Sequence, residues 1–228
     1  ALGYCHPAVS RLMERLGSPK ELMGMSQEAL ESLGIFSPRQ IQALRTTTDS
    51  RAGQIVEECG RRGYNIVTPW EEAYGERLRN IPLLPAVLYV EGQLKNFDHL
   101  PAIGMVGNRN MTEYGAKAAY QLASSLAASG FVVVSGLAEG IDAQSHKGAV
   151  KAEGYAVAVI GCGLDIDYPR SNRVLREMLL EKGAVVSEYP PGTPPIPRNF
   201  PVRNRIISGL SDGILVVEGS ERSGSMTT

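Results

Sequence analysis

The stretch Ala102-Ile103-Gly104-Met105-Val106-Gly107-Asn108-Arg109 decides the fold. Five mostly apolar residues stop at a glycine, and an amide and an arginine follow. A helical pattern then runs from about Thr112 to Ser129 and closes at Gly130. This reads as a buried strand turning sharply into a helix. In open α/β sheets, ligands sit outside the carboxyl ends of the strands, where such turns lie. Gly107 permits a tight turn or a close backbone approach. The free N–H groups that open the helix favour an anion, and Arg109 adds a planar donor fork suited to phosphate. The stretch therefore reads as a phosphate-recognising loop.

Downstream, the same grammar repeats. Apolar β-type runs occur at 131–134, 156–160, 184–186 and 214–217, with helical patterns at about 140–153, 171–182 and 203–210. Strands alternating with helices imply a parallel sheet with right-handed crossovers. Nearly continuous hydrophobic strands imply a sheet covered on both faces. Gly130, Gly154 and Gly183 are placed as helix stops. Upstream, Tyr64–Thr68 and Ala86–Val90 read as two further strands extending the sheet at one edge, with a short helix from Trp70 to Arg79 between them. A helix from Asp49 to Gly63 mixes Arg51, Arg61 and Arg62 with Glu57 and Glu58, the pattern of a solvated face. Residues 1 to about 48 read as short helices broken at Gly17-Ser18-Pro19, Gly34 and Ser37-Pro38. Their apolar positions are Leu12, Met13 and Leu16, then Leu30, Leu33, Ile41 and Leu44. Leu30–Ile35 resembles half of a helix-hairpin-helix, but Phe36 stands where the second glycine belongs, so a packing module is the favoured reading.

A chain of 228 residues suits one large domain, or one with a small appendage. Its net charge of −1 gives no global steering toward nucleic acid or membrane, so any DNA site must rest on local charge. Cys5, Cys59 and Cys162 form an odd set without metal-type spacing and fit a reducing compartment. No run approaches the roughly 18 apolar residues of a membrane span, and no signal segment opens the chain. A cytoplasmic location is expected. The start at alanine and the abrupt stop at Thr228 lead us to expect a piece of a longer protein.

In a parallel sheet the turns after the strands share one edge: Gly107–Arg109, Ser135-Gly136, Gly161–Gly163, Ser187-Glu188 and Glu218–Ser220. Glycines, hydroxyls and arginines thus converge on one crevice. Gly161-Cys162-Gly163-Leu164-Asp165-Ile166 approaches a dinucleotide fingerprint but has isoleucine in the third glycine position. A Walker A sequence is absent too, and no cofactor is expected. Ser135–Asp142 offers either an N–H nest for phosphate or a glycine-lined packing turn. Asp142 and His146 share a helical face. They could orient a base or bind a metal, but a helix-stabilising hydrogen bond is favoured, because no third ligand or nucleophile is evident. Neither a metal site nor a catalytic residue is expected. Lys147 beside them is a phosphate contact or a surface lysine. In Tyr168–Asn172, Ser171 or Asn172 can cap the next helix. Arg170 projects at the same edge as Arg109 or else pairs with Asp165 or Asp167. The proline-rich loop from Pro190 to Pro201 leads into the densest basic cluster, Arg198, Arg203 and Arg205 around Phe200 and Asn204. Arginines with an interleaved aromatic suit single-stranded nucleic acid, cations for phosphates and rings for bases. The alternative is that Phe200 is core and the arginines pair with Glu188 or Glu218. The loop from Glu218 to Ser225 could complete a phosphate cradle, although Glu221 opposes an anion there.

Six motifs together resemble the DNA processing protein A (DprA/Smf) family. They are Val106–Arg109, Ser135–Asp142, His146–Ala149, Gly163–Asp165 with Tyr168-Pro169, Phe200–Ser211, and Ser223–Ser225, in order from about Tyr64 to Thr228. The resemblance implies an extended Rossmann-like parallel sheet with helices on both faces over residues 49–228, continuing beyond Thr228 in the family. It also implies a small helical domain of sterile-alpha-motif (SAM-like) type over residues 1–48. It implies a non-enzymatic single-stranded DNA-binding recombination mediator of natural transformation. Such a protein protects incoming DNA, helps load the RecA recombinase, and is a homodimer at full length. By position, Gly107, Asn108, Arg109 and Arg170 belong to the family's positive pocket, with Lys147 as a further phosphate contact. Arg203, Asn204 and Arg205 match its arginine-asparagine-arginine motif, as pocket supports or DNA contacts. Asn108 replaces the family's usual serine or threonine. The rival class is a nucleotide-hydrolysing phosphoribohydrolase of the related Rossmann-like "lonely guy" group, whose Pro-Gly-Gly-x-Gly-Thr loop is absent here.

Overall fold

The computed structural model describes residues 19–46, 49–220, 224 and 228. The readings placed on Cys5, on Leu12, Met13 and Leu16, on the break at residues 17–18, and on residues 221–223 and 225 lie outside the described residues. Three short helices come first: α1 (Pro19–Gly24), α2 (Gln27–Ser32) and α3 (Pro38–Thr46). Leu22, Leu30, Ile41 and Leu44 meet in an apolar cluster of their own, with Leu33 and Phe36 packed against it. The half-motif at Leu30–Ile35 is thus part of a packing unit. Helix α4 (Asp49–Arg62) follows, and its Glu58 pairs with Arg61 and Arg62 one turn away. The mixed charges are a solvated face, as the pattern indicated.

The remaining chain builds one seven-stranded sheet. The strands are β1 (Asn65–Val67), β2 (Leu88–Gly92), β3 (Ala102–Gly107), β4 (Val132–Ser135), β5 (Ala156–Ile160), β6 (Ala184–Ser187) and β7 (Gly213–Glu218). Their order across the sheet is β1-β2-β6-β5-β4-β3-β7. The five strands from β6 to β7 are mutually parallel. β1 and β2 extend the sheet beyond β6 as antiparallel strands, so the whole is mixed. The helix expected from Trp70 to Arg79 is divided. A 3₁₀ turn covers Glu72–Tyr74 and α5 covers Glu76–Arg79. Gly75 between them has φ +74, which interrupts a right-handed helix.

Successive strand residues point to opposite faces, and both faces are covered. Ala156, Ala158 and Ile160 of β5 pack with α6 (Glu113–Ala128), α7 (Ile141–Lys151) and α8 (Arg173–Leu180). Val157 and Val159 pack on the other face with Tyr74, Leu78 of α5, and Ile206 and Ile207 of α9 (Asn199–Gly209). Small residues set how closely α6 and α7 approach. Gly115, Ala119, Ala123 and Ala127 form the buried stripe of α6. A side chain at Gly148 of α7 would come within 2.3 Å of the Tyr120 carbonyl oxygen.

The three expected helix-stopping glycines divide by role. Gly130 takes φ +86 after α6. After α7 it is Glu153 that turns left-handed, at φ 57, one residue before Gly154. Gly183 instead allows a close approach, since a Cβ there would lie 2.1 Å from the Ala156 carbonyl oxygen. Helix α9 begins at Asn199, ahead of the expected position near residue 203, and takes Phe200 and Pro201 into its first turn. Proline is tolerated there because first-turn N–H groups have no helical acceptor.

Candidate nucleic-acid interface

The sheet order reverses at β3, which has β4 on one side and β7 on the other. Beyond the carboxyl ends at that reversal lies the expected ligand crevice. A cavity of about 360 Å³ occupies it, lined by Val106–Arg109, Ala138, Asp142, Phe200, Pro201, Arg203, Asn204, Ile207, Gly224 and Thr228. This volume falls within the range of small-ligand sites. The opening turn is held by backbone contact. The Asn108 amide donates to Glu218 O at 2.8 Å, and the Ile141 amide donates to Asn108 O at 3.1 Å. A side chain at Gly107 would meet Glu218 O and Ile141 Cγ1, each at 2.6 Å.

Two expected anion sites are filled by the chain's own carboxylates. At the start of α6, Glu218 accepts from the Thr112 amide at 3.1 Å and from Thr112 Oγ1 at 2.6 Å. Hydrogen bonds from Thr112 hold the Glu218 carboxyl below its ordinary range. A Cβ at Gly115 would sit 2.0 Å from Glu218 Oε2, so this glycine makes room for the carboxylate. In the second loop, Asp142 Oδ2 accepts from the amides of Gly136 at 3.1 Å and Ala138 at 3.4 Å. The N–H nest read in Ser135–Asp142 therefore holds an internal carboxylate. The expected Asp142–His146 hydrogen bond is also absent. His146 is fully buried with its ring facing Ser135, and neither nitrogen has a hydrogen-bond partner among the described residues. Burial pushes its pKa down to about 4, so the ring is neutral at pH 7. Burial raises the Asp142 carboxyl, opposed by the nearby Arg203 charge.

The edge hydroxyls are likewise spent internally. Ser135 Oγ donates to Met105 O at 2.6 Å, and Ser187 Oγ donates to Cys162 O at 2.7 Å. Among the described residues, these two nests and two hydroxyls are thus engaged internally.

Arg109 is exposed, and its guanidinium carbon lies 5.2 Å from the centroid of the Phe200 ring. Tyr168 packs on the same phenyl ring at 5.7 Å. Gly161 clears space for this stack, because a Cβ there would lie 2.9 Å from Phe200 Cδ1. Phe200 is half-buried, neither pure core nor free. Arg170 is exposed in the 3₁₀ turn Arg170–Asn172. Among the described residues it forms no ion pair. Asp167 lies 4.0 Å from Arg173 instead, and Asp165 accepts from the Gly192 amide at 2.8 Å.

The arginine-asparagine-arginine motif divides in space. Arg203 is buried, donates to Gly136 O at 2.9 Å and to Val159 O, and bonds Asn204 Oδ1 at 3.1 Å. Arg203 and Asn204 line the cavity from below. Arg205 points elsewhere, donating to Leu83 O and pairing with Glu188, each at 2.7 Å. Lys147 is exposed, roughly two turns into α7, and does not line the cavity. Of the eight sequence candidates, the fold gathers Gly107, Asn108, Arg109, Arg203 and Asn204 around one cavity, leaves Arg170 exposed two residues after Tyr168 and outside the cavity lining, and sets Lys147 and Arg205 apart. Sequence reasoning missed Tyr168 as a partner of the ring and Glu218 as a helix cap. For Glu218, the signal was a lone glycine, Gly115, in the first turn of an alanine-rich helix.

Among the described residues, no three His, Cys, Asp or Glu side chains are placed to hold a metal ion, and no helix is long and apolar enough to cross a membrane.

Residues 65–228 match the family model for DNA recombination-mediator protein A. The chain is 41% identical over 178 residues to protein Smf of Synechocystis, covering 77% of this chain and 45% of that protein. It is 41% identical over 175 residues to DNA processing protein DprA of Bacillus subtilis, covering 77% and 59% respectively. The chain thus spans about half the length of these curated relatives. The crystal structure of DNA processing protein A from Streptococcus pneumoniae is similar with a TM-score of 0.76 and 32% identity, over 88% of this chain and 69% of that one. DNA processing protein A from Helicobacter pylori, whose structure is described for its single-stranded DNA binding mode, is similar with a TM-score of 0.63 and 30% identity, over 72% and 73%.

Proposed function

This chain belongs to the DNA recombination-mediator protein A family, and we propose that its crevice holds single-stranded DNA as part of a recombination mediator. The observation that carries this reading is the contact of Arg109 and Tyr168 with the Phe200 ring, with exposed Arg170 two residues along the chain from Tyr168. A single strand alternates phosphates with unpaired bases, and alternating guanidinium and ring is the chemistry that tracks it. Duplex DNA keeps its base faces stacked away from such rings. In this reading the phosphate contacts are side chains, Arg109 and Arg170 with Lys147 as an outlying one, and the internal carboxylates in both backbone nests support it. Gly107 and Asn108 shape the turn that carries Arg109, while Arg203 and Asn204 brace the cavity wall and Arg205 pairs with Glu188 away from it.

The wider role follows from the family. The whole protein binds and protects incoming single strands in natural transformation, loads a RecA-type recombinase, and works as a homodimer in the cytoplasm without enzymatic turnover. In this reading residues 1–48 are assigned to a small SAM-like helical domain and residues 49–228 to the Rossmann-like domain. Buried free thiols at Cys59 and Cys162 suit a reducing compartment.

The test is fluorescence anisotropy with labelled oligo-dT, with unlabelled duplex as competitor and a parallel incubation with AMP. Binding that duplex competes for poorly, with no adenine released, is expected. Adenine release without oligo-dT binding would replace this reading with the phosphoribohydrolase one.

A further inference from the structure

Asn172 stands at the start of α8, where Ser171 or Asn172 was expected to cap the helix, but the Asn172 side chain makes no cap hydrogen bond. Its amide turns away from the helix and donates to Leu137 O at 3.0 Å and Ala138 O at 3.1 Å. The side chain is buried, unlike Arg170 and Ser171 just before it. Leu137 is in the left-handed region at φ 54, a costly conformation for a branched side chain, so the loop is held there by its surroundings. Those surroundings are specific. Arg203 holds Gly136 O, Asp142 holds the Gly136 and Ala138 amides, and Asn172 holds the next two carbonyls.

The far end of the same loop abuts the Arg109 turn. A Cβ on Gly140 would lie 2.1 Å from Asn108 O and 2.4 Å from Arg109 O. Residues 136–140 therefore bridge the two arginine-bearing turns, in backbone contact with one and amide-bonded to the other. Among the described residues, the polar ties from the Tyr168–Asn172 turn to this loop are Ser171 Oγ to Glu139 Oε1 at 2.7 Å and the two Asn172 bonds.

We propose that Asn172 is a positioning residue for DNA binding: its two hydrogen bonds to the strained Leu137–Ala138 segment fix Arg170 relative to Arg109, so that both guanidinium groups engage one strand. This rests on the single-stranded DNA reading above. The side chain touches no DNA itself. An amide is required, because both acceptors are carbonyls and a carboxylate in the same place would repel them.

The test is oligo-dT binding across a salt series by the full chain and by Asn172→Ala, Asn172→Asp, Arg170→Ala and the Arg170→Ala/Asn172→Ala double variant, each checked for its melting transition. Each phosphate contact contributes about 0.7 to the slope of log affinity against log salt for single strands. Asn172→Ala and Asn172→Asp are expected to lose about as much of that slope as Arg170→Ala does, and to weaken binding by a similar factor. The double variant is expected to bind no worse than Arg170→Ala alone. A residue that only supported the fold would leave the slope unchanged in a folded variant. Folded variants with the parent slope, or losses that multiply in the double variant, would overturn the proposal while salt-sensitive binding by the parent chain leaves the DNA reading standing. Absence of binding by the parent chain would overturn both. Where Asn172→Ala melts too low to assay, Ser171→Ala removes only the exposed tie to Glu139, and a smaller slope loss in the same direction is expected; an unchanged slope counts against the proposal.

Discussion

The guanidinium carbon of Arg109 lies 5.2 Å from the centroid of the Phe200 ring, and the Tyr168 ring centroid lies 5.7 Å from the same centroid. The two halves of this contact have separable roles. In the proposed complex the arginine supplies charge and the ring supplies stacking surface for a base.

Phe200→Leu removes the ring while keeping an apolar side chain in the first turn of α9. Base stacking on an aromatic is worth about 1–3 kcal/mol per base. Affinity for oligo-dT should therefore fall about tenfold with an unchanged salt slope, because no phosphate contact is lost. Anisotropy at three salt concentrations reads both quantities. A slope that falls with the affinity would mean that Phe200 acts chiefly by placing Arg109.

Gly140 is a second separable case. It takes φ +82 with the backbone of Asn108 and Arg109 where a side chain would go, whereas Gly192 has the same φ with open space around it. Left-handed strain alone costs an L-residue about 1–2 kcal/mol. Gly192→Ala should show roughly that loss in chemical denaturation. Gly140→Ala should lose more and also weaken DNA binding by displacing Arg109. Equal losses in the two variants would show that the crevice turn yields easily.

His146 sets a pH dependence whose sign is fixed by burial. Its ordinary value is 6.5 and burial lowers it to about 4 in the folded protein. Between those values the unfolded chain binds the proton and the folded chain does not. The contribution is fully present above pH 6.5 and is lost as pH falls toward 4, by up to about 3 kcal/mol. Asp142, with its raised carboxyl, titrates with the opposite sign, so the difference between parent and variant isolates the histidine. His146→Leu should keep most of the stability at pH 7, since neither ring nitrogen has a well-formed hydrogen bond to lose. It should also flatten the stability profile between pH 6.5 and 4. Parallel profiles for the two proteins would assign the acid sensitivity elsewhere.

The β3-to-β7 core was legible because each parallel strand is a short apolar run closed by a turn residue, and alternation along Ala156–Ile160 serves both faces. The position of Arg109 at a strand end was legible for the same reason. What filled the nests was not. A sequence shows where free N–H groups arise, but which carboxylate reaches them depends on side chains brought in from elsewhere. Glu218 reaches Thr112 from 106 residues away. Arg203 and Arg205 looked alike in sequence, yet two positions on a helix differ by about 200°, so one enters the floor of the crevice and the other pairs with Glu188. Asn172 fits a cap by type and position, and only the carbonyls of left-handed Leu137 and of Ala138 redirect it.

In the proposed complex, arginine side chains rather than backbone nests carry the phosphates. The most direct measurement is the salt dependence of oligo-dT binding by the parent chain beside Arg109→Ala/Arg170→Ala. Two lost contacts should lower the slope of log affinity against log salt by about 1.4, at roughly 0.7 per contact, with the melting transition unchanged and affinity greatly reduced. A folded double variant that keeps the parent's slope and affinity would contradict the claim.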